Sequence, residues 1–310
     1  MAVNFEHYSV MLNECIDGLN IKPDGLYVDC TAGGGGHSYA IASRLNENGK
    51  LIAIDRDIDA IEAVTERLAP FSDRVEIVKN NFSNLKEILN GRKPDGVLID
   101  LGISSHQIDV AGRGFSYNAD APLDMRMNRD DPISAYDIVN TYSEEKLANI
   151  IFQYGEEKFS RRIASRIVEA RKTKPINTTL ELVSIITDSI PPKFREKGSN
   201  PAKRTFQAIR IEVNGELEII PPTVKDITEC LNVGGRMAII TFHSLEDRLV
   251  KQTINDLSKG CTCPPSFPVC VCGKKPTVKQ ISRKPILPSD KELEENKRSH
   301  SAKLRVAEKL

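Results

Sequence analysis

Apolar and amphipathic segments alternate over the first hundred residues, and this pattern predicts strands separated by helices. The stretch 26–55 contains an apolar run, four glycines, a helical pattern and a second apolar run. Two more apolar strands are predicted at 75–78 and 95–100, with amphipathic helices at 58–68 and 85–89. Nearly continuous apolar strands that alternate with helices are typical of a parallel sheet covered on both faces. The pattern therefore predicts an α/β fold.

This alternation stops after the fourth strand and resumes late in the chain. Residues 101–129 are rich in Gly, Ser, Asn, Asp and Pro, and irregular segments of this length are usually functional. Helical patterns follow, including one that Thr178 or Thr179 caps. The pair Pro221-Pro222 is predicted to separate two more helices, at 206–219 and 223–231. The run RMAIITFHS then supplies an apolar strand that rejoins the parallel sheet.

The order of these elements predicts a sheet domain that a helical domain interrupts. We place the first part of the sheet domain at 1–109, the inserted domain at 110–205 and the second part at 206–310. The second part contains a cysteine-rich loop and a basic tail. Leu304 and Val306 in the tail predict a final strand at the edge of the sheet.

Charge is unevenly distributed along the chain, although 43 basic residues balance 43 acidic ones. Residues 1–150 carry a net charge of −10, whereas 151–215 and 274–310 each carry +6. Basic segments of this kind either bind polyanions or form a solvated face. The sequence contains neither a secretion signal nor an apolar run long enough to span a membrane. We therefore expect a cytoplasmic protein with no membrane partner.

Four of the seven cysteines lie in the stretch GCTCPPSFPVCVCG. Without a secretion signal, cysteines are interpreted as thiols or metal ligands before disulfides. Cys261, Cys263, Cys270 and Cys272 provide the number of ligands of a tetrahedral zinc site, but their two C-x-C pairs are tighter than the usual zinc spacing. The sequence leaves open whether they hold structural zinc.

The glycines after the first strand predict a site where a ligand approaches the backbone and the start of a helix. Asp55 ends the second strand, 20 residues after Gly35, where a carboxylate can accept hydrogen bonds from a ribose. A dinucleotide-binding loop would read G-x-G-x-x-G, but Ser38 occupies the third glycine position and no basic residue is evident for a pyrophosphate. S-adenosylmethionine fits better, because it has a ribose and an adenine but no phosphate. The acidic-x-x-x-G-x-G pattern of methyltransferases starts here at Asp29.

Later strand ends provide further candidate contacts. Phe82 follows the third strand, where an adenine would stack, since ligands of open α/β sheets bind at the carboxyl ends of strands. Asp100 ends the fourth strand and is the candidate catalytic residue, because a carboxylate can stabilise an attacking amine and receive its proton. Alternatively it holds only the cofactor, since D-L-G-I stands where enzymes that methylate exocyclic amines often carry D/N/S-P-P-Y/F. His243 and Ser244 are candidates for a substrate pocket, and Ser244 is equally a helix cap.

Eight motifs along the chain resemble a single family. They are TAGGGGHS, DLGISSHQ, RGFSY, LDMRM, YGEEKFSRRIA, NPAKRTFQAIRIEVN, TFHSLEDR and SAKLRVAEK, in the order that the family has them. The chain thus resembles the bacterial small-subunit ribosomal RNA cytosine-N4 methyltransferases, the RsmH or MraW family.

This resemblance implies a Rossmann-like class I methyltransferase sheet with an inserted helical domain. It implies S-adenosylmethionine as cofactor and, as substrate, the exocyclic N4 of a cytidine in the decoding region of 16S ribosomal RNA, within the small ribosomal subunit. The family's cofactor contacts carry over onto Gly35, Gly36, His37, Asp55, Phe82, Asp100 and Gln107. Basic residues of the inserted domain would then face phosphates. They are Arg161, Arg162, Arg166, Arg171, Lys172, Lys174, Lys193, Arg195, Lys197, Lys203 and Arg204.

Two other classes of function stay open. A nucleotide-dependent oxidoreductase would bind a dinucleotide, and the missing third glycine disfavours it. A ribosome assembly factor would use the same fold only to bind RNA, and the presence of Asp55 and Asp100 argues against it.

Overall fold

A computed structural model describes residues 9–195, 198–261, 263, 264, 267, 269 and 271–310. This part of the chain forms two compact units. The first unit extends to Gly102 and resumes at Leu217, and the second comprises Ile103–Glu216. Among the described helices, none has the length and apolar character needed to cross a membrane. Substrate recognition by the inserted segment stays a prediction.

The first unit is built on a mixed sheet of seven strands. The strands are β1 (Leu26–Asp29), β2 (Lys50–Asp55), β3 (Val75–Lys79), β4 (Gly96–Asp100), β5 (Arg236–Thr241), β6 (Val278–Gln280) and β7 (Lys303–Lys309). Their order is β3-β2-β1-β4-β5-β7-β6. The first five are parallel, and β7 runs antiparallel to β5 and to β6. The predicted α/β fold, with parallel strands separated by helices, is confirmed.

Three of the parallel strands end in a carboxylate. Asp29, Asp55 and Asp100 are the last residues of β1, β2 and β4. Residues 51–54 of β2 and 97–99 of β4 are buried and apolar, as expected for strands that are covered on both faces. Since β1 pairs in parallel with both β2 and β4, the three carboxylates lie at the same end of these strands, the carboxyl end of the sheet.

The last strand is not at the edge of the sheet, so that prediction was wrong. β7 lies between β5 and β6, with Leu304 opposite Ile240 and Val306 opposite Ala238. On its other side, β6 forms the edge and pairs with β7 through Val278 and Lys309. Sequence reasoning missed β6 because a strand of three residues is too short to show an alternating pattern.

The α-helices of the described chain are α1 (Leu12–Leu19), α2 (Gly36–Ala42), α3 (Ile58–Leu68), α4 (Leu85–Leu89), α5 (Ser105–Asp109), α6 (Ala135–Thr141), α7 (Glu144–Gly155), α8 (Ser160–Thr173), α9 (Thr179–Ser189), α10 (Lys203–Asn214), α11 (Ile220–Cys230), α12 (Ser244–Ser258) and α13 (Asp290–Glu295). The helix predicted at 58–68 is confirmed as α3. The helix predicted at 206–219 exists as α10, but it ends at Asn214, because Gly215 takes a left-handed φ of 59° and caps it. Pro221 and Pro222 do not precede the next helix but lie in the first turn of α11, where no intrahelical N–H donor is needed.

Helices α5 to α10 form the second unit around their own apolar core. The segment 101–129 is not a structureless loop, because it contains α5 and contributes Leu123 and Met125 to this core. Arg113 is buried, and its Nη2 donates to the carbonyl oxygens of Arg126 and Met127 at 3.0 Å each. Internal hydrogen bonds and apolar side chains therefore hold the segment in place.

Candidate functional site

The glycine loop between β1 and α2 has a backbone that larger residues would not adopt. Gly33 takes a φ of 50°, and the nearest atom to a side chain added there would be the Thr31 carbonyl oxygen at 3.9 Å. A Cβ on Gly36 would lie 1.7 Å from Ser9 Oγ, so a larger residue here would have to displace the Ser9 hydroxyl. The loop is thus closed against the protein at Gly36 and open at Gly33.

Asp29 holds this loop through two hydrogen bonds to its carboxylate. It is fully buried, accepts a hydrogen bond from Ser38 Oγ at 2.6 Å on Oδ2 and another from the Thr31 N–H at 3.1 Å on Oδ1. Burial raises the pKa of Asp29 to about 6, and the bond from Ser38 opposes this shift. Because both oxygens are used inside the protein, Asp29 serves to position the loop.

Asp55 holds the same loop from the neighbouring strand. Its Oδ2 accepts the Gly33 N–H at 2.9 Å, and its Oδ1 accepts the Asp57 N–H at 2.9 Å. Burial raises the pKa of Asp55 to about 6, while these two N–H donors act in the opposite direction. Each carboxylate oxygen can accept a second hydrogen bond. Asp55 therefore retains acceptor capacity for the hydroxyl groups of a ribose.

Phe82 stands at the end of the next strand, beside Asp55. The Asn80 N–H donates to the Asp55 carbonyl oxygen at 2.9 Å, which ties the end of β3 to the end of β2. Phe82 then opens a short 3₁₀ helix, Phe82–Asn84, after Asn81, whose Oδ1 accepts the Ser83 N–H. The ring is half-buried and does not belong to the fully buried core. A half-buried ring at a strand end is available to stack on a ligand.

His37 and Asp100 face each other at the start of α2 and the end of β4. His37 is buried, and its Nε2 lies 3.0 Å from the Val10 carbonyl oxygen, which can only accept, so Nε2 carries the proton. Burial lowers the pKa of His37 to about 4. The ring is thus neutral at pH 7, with Nδ1 lying 3.9 Å from Asp100 Oδ2.

Asp100 differs from Asp29 and Asp55 in the hydrogen bonding of its carboxylate. Its backbone N–H donates to Thr31 Oγ1 at 2.7 Å, but its Oδ1 is buried and has no hydrogen-bond partner among the described residues. Burial raises its pKa well above the usual value, and the charges of Asp29 and Glu246 add to the shift. A buried acceptor without a partner is costly, so this oxygen is suited to a ligand or a proton.

Glu246 is a buried acid that sequence reasoning did not single out. Its Oε2 accepts the N–H groups of Phe242 at 2.7 Å and His243 at 3.2 Å, and its Oε1 lies 3.0 Å from His243 Nε2. His243, and not Ser244, is therefore the N-cap of α12. The signal was available in the sequence, since a glutamate three residues after an N-cap is the mark of a capping box.

A basic side chain that the sequence did not single out contacts the glycine loop. Arg67, in the last turn of α3, donates from Nη1 to the Gly34 carbonyl oxygen at 3.1 Å and lies 5.7 Å from the centre of the Tyr39 ring. The sequence did not indicate this contact because Arg67 is more than thirty positions away from the loop. Its hydrogen bond to the carbonyl makes it a support of the loop.

The first unit thus brings most of the predicted cofactor contacts to the carboxyl end of its sheet. They are Gly35, Gly36, His37, Asp55, Phe82 and Asp100. Gln107 belongs to the second unit, where its Oε1 accepts the Ser104 N–H at 3.1 Å in the capping box of α5. Its contact with a cofactor stays a prediction.

The cysteine cluster lies in the first unit, between α12 and β6. Cys261, Cys263 and Cys272 place their Sγ atoms within 4.8 Å of one another. The fourth predicted ligand, Cys270, lies outside the described residues.

The residues at the carboxyl end of the sheet fit S-adenosylmethionine. The open backbone at Gly33, the spare acceptors of Asp55 and the half-buried Phe82 correspond to a methionine portion, a ribose and an adenine. Asp100 Oδ1, which has no hydrogen-bond partner among the described residues, is available to a positively charged group.

Comparison with known proteins gives matches over nearly the whole chain. A model of the MraW methylase family matches residues 4–310. A Brevibacillus brevis protein named ribosomal RNA small subunit methyltransferase H is 60% identical over 312 residues, with 100% of this chain and 99% of that protein covered. A protein of the same name from Clostridium botulinum is 58% identical over 311 residues, with 99% and 100% covered. The crystal structure of an rRNA methylase from Streptococcus thermophilus matches with a TM-score of 0.43 at 12% identity, with 96% of this chain and 93% of that chain covered.

Proposed function

Because the chain belongs to the MraW methylase family, we propose that it methylates small-subunit ribosomal RNA with S-adenosylmethionine as the methyl donor. The position that we propose is the exocyclic N4 of a cytidine in the decoding region of 16S ribosomal RNA. The observation that carries this proposal is the 60% identity over the full chain to a protein named for ribosomal RNA methylation. The site supports it, because its polar groups suit a nucleoside-bearing cation.

The proposed cofactor site uses backbone and side-chain groups of the first unit. Asp55 accepts hydrogen bonds from the ribose hydroxyls while it holds Gly33, and Phe82 stacks on the adenine. Gly35, Gly36 and His37 line the side of the methionine portion, and Gln107 is included on the family resemblance alone. When bound, the cofactor supplies an activated methyl group.

Asp100 is the proposed proton acceptor. During the transfer a bond forms between cytosine N4 and the methyl carbon, the sulfur–carbon bond breaks and N4 must lose a proton. The unpartnered Oδ1 of Asp100 can accept this proton, since burial makes the carboxylate more basic than a solvated aspartate. Neutral His37 competes poorly for the proton, because burial lowers its pKa to about 4 and makes its Nδ1 a weak base.

The second unit provides the proposed phosphate contacts. Two of the eleven basic candidates are committed within the unit, since Arg171 donates to the carbonyl oxygens of Val139 and Tyr142, and Arg195 to those of Thr187 and Ile190. Lys197 lies outside the described residues. The exposed candidates are Arg161, Arg162, Arg166, Lys172, Lys174, Lys193, Lys203 and Arg204. Of these, Lys172 and Lys174 form ion pairs with Glu169 and Glu181. Exposed cations are able to neutralise phosphates, which makes binding dependent on salt.

Transfer of labelled methyl groups tests the proposal. Small subunits and free ribosomal RNA from cells that lack the enzyme are incubated with the protein and labelled S-adenosylmethionine. We expect label on N4 of one cytidine of the decoding region, found by nuclease digestion and mass spectrometry. Subunits from cells that retain the enzyme serve as the control, because their site is already methylated. Absence of label from cytidine in both substrates would refute the proposal.

A further inference from the structure

The segment between α12 and β6 carries a concentration of thiols that methyl transfer does not explain. Cys261 follows the end of α12 and Cys272 precedes β6, so the two C-x-C pairs of the sequence stand at the two ends of this loop. The six described cysteines of the chain are all thiols. Cys261, Cys263 and Cys272 converge from the two ends of the loop, with their Sγ atoms within 4.8 Å of one another.

The separation of two of these sulfur atoms matches that of a tetrahedral metal site. A zinc ion with zinc–sulfur bonds of about 2.3 Å separates its ligand sulfurs by about 3.8 Å. The Sγ atoms of Cys261 and Cys272 are 3.8 Å apart. A disulfide would require a separation of about 2.05 Å, which would draw the two sulfurs nearly 2 Å closer.

Backbone N–H groups already point at two of these sulfur atoms. The Cys263 N–H donates to Cys261 Sγ at 3.4 Å, and the Val271 N–H donates to Cys263 Sγ at 3.4 Å. Hydrogen bonds of this kind stabilise the negative charge of a metal-bound thiolate and orient it. Lys274, at the same end of the loop as Cys272, adds positive charge nearby in the sequence.

We propose that Cys261, Cys263 and Cys272 bind a zinc ion through their thiolates. The ion would join the two ends of the loop, which two hydrogen bonds already hold close to each other. The Thr277 N–H donates to the Leu257 carbonyl oxygen and Lys274 Nζ to that of Asp256, both at 2.9 Å. Zinc therefore fixes the path of the chain from α12 into the edge strand β6. The site is independent of the proposed methyl transfer, because it uses none of the proposed cofactor contacts at the carboxyl end of the sheet.

Metal analysis of the full-length protein, purified under reducing conditions without chelators, tests this proposal. We expect about one zinc ion per chain. The double variant Cys261→Ser, Cys272→Ser should lose nearly all of it, whereas Cys230→Ser, a thiol on α11, should retain it. Zinc far below one per chain, even after incubation of the reduced protein with excess zinc and desalting, would overturn the proposal. Equal zinc in the double variant and the wild type would overturn it as well.

Cobalt substitution provides a measurement that does not depend on activity. Cobalt added to the zinc-depleted protein should produce the strong thiolate-to-metal absorption of a sulfur-coordinated ion, and the double variant should not show it. A spectrum without this absorption in the wild type, or with it in the double variant, contradicts the proposed ligands. Circular dichroism of both variants verifies that the sheet unit is folded. Methyl transfer plays no part in these readouts, so failure of the proposed function would leave their outcome unchanged.

Discussion

Substitution of Asp55 by alanine separates the role of this residue in ligand binding from its role in folding. Its carboxylate accepts two backbone N–H groups and, in the proposed complex, the ribose hydroxyls as well. A hydrogen bond to a charged group is worth about 1.5–3 kcal/mol, less where water can replace it. We therefore expect Asp55→Ala to weaken cofactor binding by about 1–3 kcal/mol, or about 5- to 150-fold in the dissociation constant.

The unliganded protein should respond differently. Burial raises the pKa of Asp55 to about 6. The carboxylate is still mostly ionised at pH 7, but its charge then lowers the free energy of unfolding. Its removal relieves this penalty while two N–H bonds are lost, and the two effects oppose each other. We expect the melting temperature of the unliganded variant to change little.

Isothermal titration calorimetry with S-adenosylmethionine or its demethylated product measures the first effect, and thermal denaturation measures the second. Asp57→Ala is the matched control, because Asp57 caps α3 two residues further on through the Asp59 N–H. Loss of this cap should lower stability by about 0.5–2 kcal/mol and leave affinity nearly unchanged. If Asp55→Ala binds as tightly as the wild type, Asp55 does not hold the ribose and the proposed placement of the cofactor is wrong.

Three further predictions concern Asp100, two arginines of the second unit, and Asp29. Asp100→Asn should lower the rate of methyl transfer by about 10²–10⁴-fold in single-turnover assays, with proton transfer as the lost step, and a loss below about tenfold would remove Asp100 from that role. Arg161→Ala combined with Arg162→Ala should weaken RNA binding and reduce the salt dependence by about 0.7–0.9 per lost phosphate contact, whereas Arg171→Ala should lower the melting temperature and leave this slope intact. The pKa of Asp29 is raised in the folded state, so its contribution to stability is lost as the pH rises from about 4 to about 6. Relative to Asp29→Asn, the wild type should lose up to about 3 kcal/mol across this range in urea denaturation, and equal slopes for the two proteins would contradict the assigned cause.

Local sequence patterns were sufficient for the five parallel strands. The helix at 58–68 and the carboxylates that end β1, β2 and β4 were evident, because period and strand ends are local properties. Two features that were missed depend on neighbours distant in the sequence. Arg67 reaches Gly34 across more than thirty positions, and β7 became an internal strand only because the short β6 covers it.

Electrostatic properties of the site were also beyond the sequence. Asp55 and Asp100 have the same side chain, but one accepts two N–H groups and the other has an oxygen without a partner among the described residues. Likewise, His37 is recognisable as a candidate, but its neutral state at pH 7 follows from burial and from the Val10 carbonyl oxygen. These differences result from packing, which one sequence does not display.

The interrupted first unit has a consequence for synthesis of the protein on the ribosome. β4 and its neighbours are translated first, but β5, which pairs with β4, follows only after the whole of Ile103–Glu216 has been made. During this interval the nascent chain presents β4 as an open sheet edge, which is a template for unwanted strand pairing. The helical unit can bury its own apolar core in the meantime, since its contacts are largely internal. The sheet is therefore completed only after β5 and then β7 emerge, and until then the side of β4 that pairs with β5 stays open.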